Sequence, residues 1–159
     1  MATTSITLYS IGHSNVPAER LIALLDQHGI RTLCDVRSAP YSRYNPQFNR
    51  EALAATLRAA GITYRFMGDT LGGKPADGAL PDYAKIAMSP DFQRAIAQLI
   101  DLGCSAPTAF MCGEADYHGC HRHKLIAPAL IRSGVLVWHI LPDGSCERGE
   151  IAPLQMRMF

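Results

Sequence analysis

The chain alternates short, almost continuously apolar segments with segments whose apolar residues recur at helical spacing. The clearest helical stripe runs through residues 92–100. Strands that lack polar alternation are typical of parallel sheets covered by helices on both faces. We therefore predict an α/β fold: a single three-layer domain over residues 1–159, with a mostly parallel five-stranded sheet and helices on both faces. The predicted strands are residues 6–11, 31–36, 62–66, 108–112 and 135–141, with a short antiparallel C-terminal extension through residues 146–151.

Composition limits the classes of function. Of 159 residues, 48% are apolar and 18% are charged, which is typical of a globular protein, and the formal net charge of +1 gives no overall attraction to nucleic acid or to anionic membranes. No apolar run is long enough to span a bilayer, and residues 1–7 lack the features of a signal peptide. The odd number of cysteines, five, argues against a disulfide framework. We expect a reduced, cytoplasmic protein that does not contact membranes.

The polar clusters of the chain follow predicted strands. Right-handed crossovers place every strand-to-helix loop at one edge of a parallel sheet, and ligands of open α/β sheets bind at that edge. The clusters are residues 12–14, 35–37, 41–46, 72–74 and 112–122. We therefore expect one crevice at the carboxyl ends of the strands.

The segment from Cys112 to His123 contains two thiols, two carboxylates and three imidazoles. Cys120 lies at the predicted start of the last helix, where the helix dipole lowers the pKa of a thiol. Glu114 is a candidate general base, or a residue that orients the neighbouring His121 or Arg122. The alternative is that both cysteines are buried packing residues, as free cysteines commonly are.

Zinc is the metal that such a donor set would bind. Cys112, Cys120 and either His121 or His123 supply three possible ligands. However, seven residues separate the two cysteines, a longer gap than the C-x₂₋₄-C spacing of structural zinc sites, and there is no second pair of cysteines beside them. We therefore expect no bound cofactor, with zinc as the less favoured alternative.

Two further clusters predict anion binding. Asp35 and Arg37 form either part of a site or a structural ion pair. Arg37 and Arg43 flank a loop with Tyr41 and Tyr44. The arginines could bind phosphate and the tyrosines could stack a nucleobase, or these residues form a packed surface loop. The backbone amides of Gly72-Gly73-Lys74 could also hold an anion, although the spacing is not that of a P-loop. His13-Ser14 adds exposed donors after the first strand.

Five short motifs of the chain, in this order, resemble the family known as domain of unknown function 488. They are Ser10-Ile-Gly-His-Ser14, Asp35-Val-Arg37 with Pro40, Ser42 and Arg43, Leu71-Gly-Gly73, Cys112-Gly-Glu114 and Cys120-His-Arg122. The resemblance covers nearly the whole chain and implies a compact α/β domain, but no particular reaction.

The chain departs from that family pattern between Glu114 and Cys120, where many relatives carry a denser acidic run, so no role is carried over to Asp116. Asp35-Val-Arg37 is also similar to rhodanese domains. Cys112 and Arg122 lie too far apart for a Cys-to-Arg anion loop, which argues against a sulfurtransferase or a cysteine phosphatase.

These patterns lead to one functional hypothesis and two alternatives. The hypothesis is an enzyme that acts on a small anionic substrate, phosphate-bearing or nucleotide-like. The alternatives are a non-catalytic nucleotide or nucleic-acid binding module, and a thiol or metal site with a redox or regulatory role. The predicted catalytic residues are His13, Glu114, Cys120 and His121, and the predicted substrate-binding residues are Ser14, Asp35, Arg37, Tyr41, Arg43, Gly72, Gly73, Lys74, Cys112 and Arg122.

Overall fold

A six-stranded sheet forms the centre of the molecule in a computed structural model that describes residues 6–72 and 81–151. The strand order is β3-β2-β4-β1-β5-β6; the first five strands in that order are parallel, and β6 is antiparallel to β5. The strands are β1 Thr7–Gly12, β2 Thr32–Asp35, β3 Thr63–Phe66, β4 Thr108–Cys112, β5 Leu136–Ile140 and β6 Cys146–Arg148. The predicted parallel sheet is confirmed, and the predicted antiparallel extension supplies its sixth strand.

Helices cover both faces of this sheet. They are α1 Ala18–Gln27, α2 Arg50–Ala59, α3 Gly68–Leu71, α4 Tyr83–Met88, α5 Pro90–Ser105 and α6 Ala127–Arg132. A 3-10 turn, Pro46–Phe48, precedes α2, and a π-helical turn, Arg122–Ile126, runs directly into α6.

Side chains of β4 alternate between two hydrophobic cores. Ala109 and Met111 pack with residues of α1 and α2 on one face, whereas Phe110 and Cys112 pack with residues of α5 and α6 on the other. Every residue of β4 is buried because helices lie on both sides of the strand. This explains why its sequence shows no polar alternation, and it confirms the predicted three layers.

Two residues at or near helix ends make contacts outside their own helix. Glycine commonly ends a helix, but α5 continues through Gly103 to Ser105. Gly103 lies against β1 instead: a Cβ at this position would come within 2.7 Å of the Leu8 side chain. Asn49 precedes α2, at a position where asparagine often caps a helix, but its Oδ1 accepts a hydrogen bond from the backbone N–H of Ser42 (2.7 Å) instead.

The strand order brings three strand ends together. β4 lies between β1 and β2, with Gly12 beside Cys112 and Asp35 beside Met111. The connections that follow these three strands therefore leave the sheet next to one another, which is where open α/β sheets bind ligands.

Within residues 6–72 and 81–151, no helix is long and apolar enough to cross a membrane.

Candidate functional site

A crevice of about 330 Å³ lies at the carboxyl ends of β1, β2 and β4. The described residues that line it come from the connections that follow β1, β2, β3 and β4. They are His13, Arg37, Ser38, Ala39, Tyr41, Ser42, Gly72, Pro81, Tyr83, Cys112, Gly113, Glu114, Gly119, Cys120 and His121.

The loop after β4 is held close to the end of β1. The backbone N–H of Ser14 donates to the carbonyl of Gly113 (2.9 Å), and that of His13 donates to the carbonyl of Cys112 (3.0 Å). A Cβ on Gly12 would lie 1.7 Å from the carbonyl oxygen of Glu114, so only glycine permits this approach. The loop that carries Glu114 is thereby placed over the strand ends.

Asp35 and Arg37 form a buried ion pair on one wall of the crevice. Oδ1 of Asp35 accepts from the Arg37 backbone N–H (3.1 Å) and from Nε (2.8 Å), and Oδ2 accepts from Nη2 (2.7 Å) and from the Tyr64 hydroxyl (2.6 Å). Asp35 is fully buried and Arg37 is 9% exposed. This two-point pairing fixes the guanidinium and leaves Nη1 for other contacts.

His13 lies next to that guanidinium. Its Nδ1 donates to the carbonyl of Ser14 (2.6 Å), so Nε2 is left as the acceptor that faces Nη1 of Arg37 at 3.3 Å. Burial is the largest effect on His13 and lowers the pKa of its imidazole. Ser14 adopts a left-handed backbone conformation (φ 52°), which belongs to the turn that sets this geometry.

Two thiols lie side by side at the floor of the crevice. Sγ of Cys112, at the end of β4, is 2.8 Å from Sγ of Cys120. The hydrogen bond from Cys112 is the largest effect on Cys120 and lowers the pKa of that thiol; burial opposes this change, and His121 adds to it. The same bond, together with burial, raises the pKa of Cys112. Cys120 is therefore the thiol that ionises first.

His121 connects Cys120 to the end of β2. Its Nε2 donates to the carbonyl of Val36 (2.9 Å), which turns Nδ1 toward Sγ of Cys120 at 3.6 Å. The carbonyl of Cys120 accepts from the backbone N–H groups of His123 (3.0 Å) and Lys124 (3.1 Å), so Cys120 lies at the start of the last helix, as predicted. That helix opens with a π-helical turn, a feature often found at functional sites.

Arg122 lies behind the crevice, not among its lining residues. It is fully buried; Nη1 donates to Oγ of Ser10 (3.2 Å), and Nη2 donates to the backbone carbonyl of Glu114 (2.5 Å). The Ser10 hydroxyl also hydrogen-bonds Nδ1 of His139, which is fully buried as well. Both groups that accept from Arg122 are neutral, so this cation ties the loop after β4 to β1.

The structure brings together most of the predicted site residues. Those that line the crevice are His13, Arg37, Tyr41, Gly72, Cys112, Glu114, Cys120 and His121. Asp35 lies behind Arg37, and Ser14 touches the site through its carbonyl group. Arg43 is exposed at the protein surface outside the lining. Gly73 and Lys74 lie outside the described residues. The predicted roles of all these residues in catalysis or binding stay predictions.

Glu114 contributes to this region in two ways. Glu114 is an exposed residue that lines the crevice. Its backbone carbonyl accepts a hydrogen bond from Nη2 of Arg122. The side chain that we expected to orient Arg122 is thus not the group that does so.

Within the part of the chain that the structure describes, no group of three or more His, Cys, Asp or Glu side chains is arranged to hold a metal ion. His123, one of the ligands considered for zinc, packs edge-on against Tyr117, with ring centroids 5.5 Å apart.

Several residues of the site were missed by sequence reasoning. Tyr64 binds Asp35 and Ser10 binds Arg122, whereas Ser38 and Tyr83 line the crevice. Ser10 belongs to a motif that carries the family resemblance, which was the available signal. Tyr64 lies in β3, and no motif in the sequence around it indicated a role in the site.

The fold and the crevice define the class: an α/β protein with a mostly parallel sheet and a thiol-containing crevice at the carboxyl ends of its strands. A family model described as domain of unknown function DUF488 matches residues 17–128, more than half of the chain. The chain belongs to that family. Ser10-Ile-Gly-His-Ser14 precedes the matched residues, which begin at Pro17.

No curated protein and no solved structure matches the chain.

Proposed function

We propose that this protein is an enzyme that acts on a small anionic substrate, with Cys120 as the nucleophile. The substrate would bind in the crevice, and its reacting centre would be an electrophilic carbon. A phosphate or carboxylate on the substrate would be the group that is recognised rather than the group attacked, because no Cys-to-Arg anion loop is present around either crevice thiol in the sequence.

The observation that carries this proposal is the alignment of Cys120, His121 and the Val36 carbonyl. A nucleophile next to a base, with the base oriented by a third group, is the arrangement by which enzymes activate thiols. Here Nδ1 of His121 faces Sγ of Cys120 at 3.6 Å, and the Val36 carbonyl accepts from Nε2 at 2.9 Å. A thiolate–imidazolium pair is the reactive state that this geometry favours.

The cation among the described crevice residues, Arg37, supports an anionic substrate. Arg37 is held by Asp35 so that Nη1 is left beside Nε2 of His13 in the crevice. A guanidinium fixed in this way binds an anion without first losing side-chain freedom. The volume of about 330 Å³ is that of a small-molecule site.

In the proposed step, the Sγ–carbon bond forms while the bond from that carbon to its leaving group breaks. The leaving group takes the bonding electron pair and the proton of the His121 imidazolium. Water then attacks the same carbon, His121 accepts the proton of that water, and the thiolate leaves, which restores the starting site. His13 is placed to hydrogen-bond the substrate or the attacking water through Nε2.

The test compares two alkylating agents of similar size, anionic iodoacetate and neutral iodoacetamide. Peptide mapping follows the labelling rates of Cys120 and of the exposed Cys104, which serves as an internal reference. We expect Cys120 to prefer iodoacetate by about tenfold relative to Cys104, because a fixed cation concentrates the anion beside a thiolate. A Cys120 that shows no preference for iodoacetate, or that is not labelled at all in the folded protein, would contradict the proposal.

A paired variant identifies the cation. Replacing Asp35 and Arg37 together, Asp35→Asn with Arg37→Gln, avoids leaving one buried charge alone. This double variant should lose the iodoacetate preference and keep the iodoacetamide rate. Arg65→Gln, at an exposed arginine on the neighbouring β3, is the matched control and should keep both.

A second candidate, a nucleotide or nucleic-acid binding module, is supported by the loop after β2. Tyr41 is 57% exposed and Tyr44 is 82% exposed, and the guanidinium of Arg43 lies 5.7 Å from the Tyr44 ring centroid. Exposed aromatic rings next to arginines suit base stacking. A single-stranded oligonucleotide whose affinity falls with Tyr44→Ala but not with Cys120→Ser would favour this candidate over the enzyme.

A further inference from the structure

We propose that Cys112 and Cys120 form a reversible disulfide when the protein meets a hydroperoxide. The inference goes beyond the proposed function: it needs the two thiols and a peroxide, and it does not need the anionic substrate.

The distance between the sulfur atoms is the first argument. The 2.8 Å separation places both atoms in direct contact, with the thiol hydrogen of one directed at the other. A disulfide bond is about 2 Å long, so the two atoms need to approach by less than roughly 1 Å. No other pair of cysteine sulfurs lies within hydrogen-bonding reach among residues 6–72 and 81–151.

The segment between the two cysteines can accommodate such an approach. It contains seven residues and lies at the protein surface, with Glu114, Asp116, His118 and Gly119 exposed. It is held at the Gly113 carbonyl by the backbone N–H of Ser14, at the Glu114 carbonyl by Arg122, and at Tyr117, whose hydroxyl donates to Glu147 (2.6 Å). Cys120 itself lies at the start of the π-helical turn, so a small movement of its side chain does not disturb a strand of the sheet.

The two cysteines have different roles in this reaction. Cys120 is the thiol beside the imidazole of His121, whose Nδ1 lies 3.6 Å from its sulfur and can take up its proton. Cys120 is therefore the thiolate that attacks the peroxide. Both thiols line the crevice, although the two residues are only 3% and 2% exposed. A small peroxide is therefore the oxidant that can reach Cys120, and Cys112 is the resolving thiol.

The reaction is balanced as follows. The Cys120 thiolate attacks one peroxide oxygen, the O–O bond breaks, and the other oxygen leaves as hydroxide or alkoxide and takes up a proton. Cys120 is then a sulfenic acid. The Cys112 sulfur, after losing its proton, attacks the Cys120 sulfur; the S–O bond breaks and water leaves. In total, two thiols and one hydroperoxide give one disulfide, one alcohol (or water) and one water. A dithiol reductant returns the two electrons by thiol–disulfide exchange.

Two of the other three cysteines provide internal controls. Cys104 is exposed, and Cys34 is buried, with burial raising the pKa of its thiol to about 12. Neither has the short sulfur contact of Cys112 and Cys120. If exposure alone governed oxidation, Cys104 would react first.

The experiment treats the reduced full-length protein with equimolar hydrogen peroxide and follows intact mass and peptide maps over time. We expect the loss of two hydrogen atoms, a Cys112–Cys120 linked peptide, and full reversal by dithiothreitol. The linkage should form at least about tenfold faster than any oxidation of Cys104, because a thiolate with a neighbouring resolving thiol is the reactive form. Absence of the linked peptide, or a linkage between molecules through Cys104, would overturn the proposal.

Variants separate the two roles. Cys112→Ser should stop at a Cys120 sulfenic acid that dimedone traps, whereas Cys120→Ser should leave Cys112 reduced, and Cys104→Ser should behave as the wild type. A Cys112→Ser protein that still loses two hydrogen atoms would contradict the assignment. The linked peptide of the wild type tests the disulfide by itself, should a variant fail to fold.

Failure of this inference is distinguishable from failure of the proposed function. If the disulfide forms and Cys120 shows no preference for iodoacetate, the redox pair is supported and the proposed enzyme is contradicted. If Cys120 prefers iodoacetate and no disulfide forms, the proposed enzyme is supported and the redox pair is contradicted.

Discussion

The sulfur of Cys112 lies 2.8 Å from the sulfur of Cys120, within hydrogen-bonding distance, and this contact joins the end of β4 to the start of the last helix. This contact shifts the pKa values of Cys112 and Cys120 in opposite directions. The hydrogen bond with Cys112 is the largest effect on Cys120 and lowers the pKa of that thiol, and the same bond raises the pKa of Cys112. The backbone N–H of Arg122, at the start of the last helix, lowers the pKa of Cys120 to a smaller extent.

Removing the donor should make Cys120 less acidic. A hydrogen bond to a charged group contributes roughly 1.5–3 kcal/mol, and one pKa unit corresponds to about 1.4 kcal/mol, so Cys112→Ala should raise the pKa of Cys120 by about 1 to 2 units. Cys112→Ser keeps a donor and should shift the pKa less. The measurement is the rate of Cys120 alkylation as a function of pH, with Cys104 as the reference. Equal profiles in the wild type and in Cys112→Ala would show that Cys112 has no such effect.

The buried pair of Asp35 and Arg37 should matter far more for stability than an exposed pair. Asp35→Asn leaves the guanidinium without its counter-ion and should lower the free energy of unfolding by about 3–5 kcal/mol. Asp91→Asn is the matched control, because Asp91 and Arg94 form an ion pair with both side chains more than two-thirds exposed; it should change stability by less than about 1 kcal/mol. Urea denaturation measures both. Similar losses in the two variants would contradict the structural importance of the buried pair.

Arg122 should behave as a structural residue. Arg122→Ala removes the bonds to Ser10 and to the Glu114 carbonyl, and it opens a cavity where a large buried side chain stood. We expect a loss of about 3 kcal/mol or more. Arg132→Ala, at an exposed position near the end of the same helix, should cost less than about 0.5 kcal/mol. An Arg122→Ala protein that keeps its stability and loses only substrate binding would instead support the substrate-binding role predicted from the sequence.

His139 should make the protein sensitive to mild acid. Burial, the largest effect, lowers the pKa of His139 from 6.5 to about 3. Below pH 6.5 the unfolded chain takes up a proton at this residue that the folded protein does not. The contribution of neutral His139 to the free energy of unfolding is therefore complete above pH 6.5 and is lost as the pH falls toward 3. Between pH 6.5 and 5 the free energy of unfolding should fall by about 2 kcal/mol from this cause.

His139→Asn tests this pH dependence, since its side chain can still accept from the Ser10 hydroxyl but does not titrate. The variant should lose less stability than the wild type between pH 6.5 and 5 in urea denaturation. His118→Asn replaces a histidine that is 65% exposed and should keep the pH dependence of the wild type. An unchanged pH dependence in His139→Asn would exclude His139 as its source.

The sequence by itself determined the layers, the parallel sheet and the edge at which the site lies. These follow from local information: apolar runs predict strands, helical stripes predict helices, and the rule for right-handed crossovers places the loops at one edge. For that reason His13, Arg37, Cys112 and Cys120 could be assigned to one crevice before their distances were known. The start of the last helix at Cys120 was predicted in the same way.

The tertiary structure alone decided which way each polar side chain points. Arg122 turns away from the crevice because Ser10, 112 residues earlier in the chain, accepts its hydrogen bond. Arg37 is fixed because Asp35 and Tyr64 meet across neighbouring strands, and the two thiols meet because Gly12 lets the loop after β4 lie against β1. Such contacts depend on packing between distant segments, whereas sequence patterns report the conformation of each segment separately.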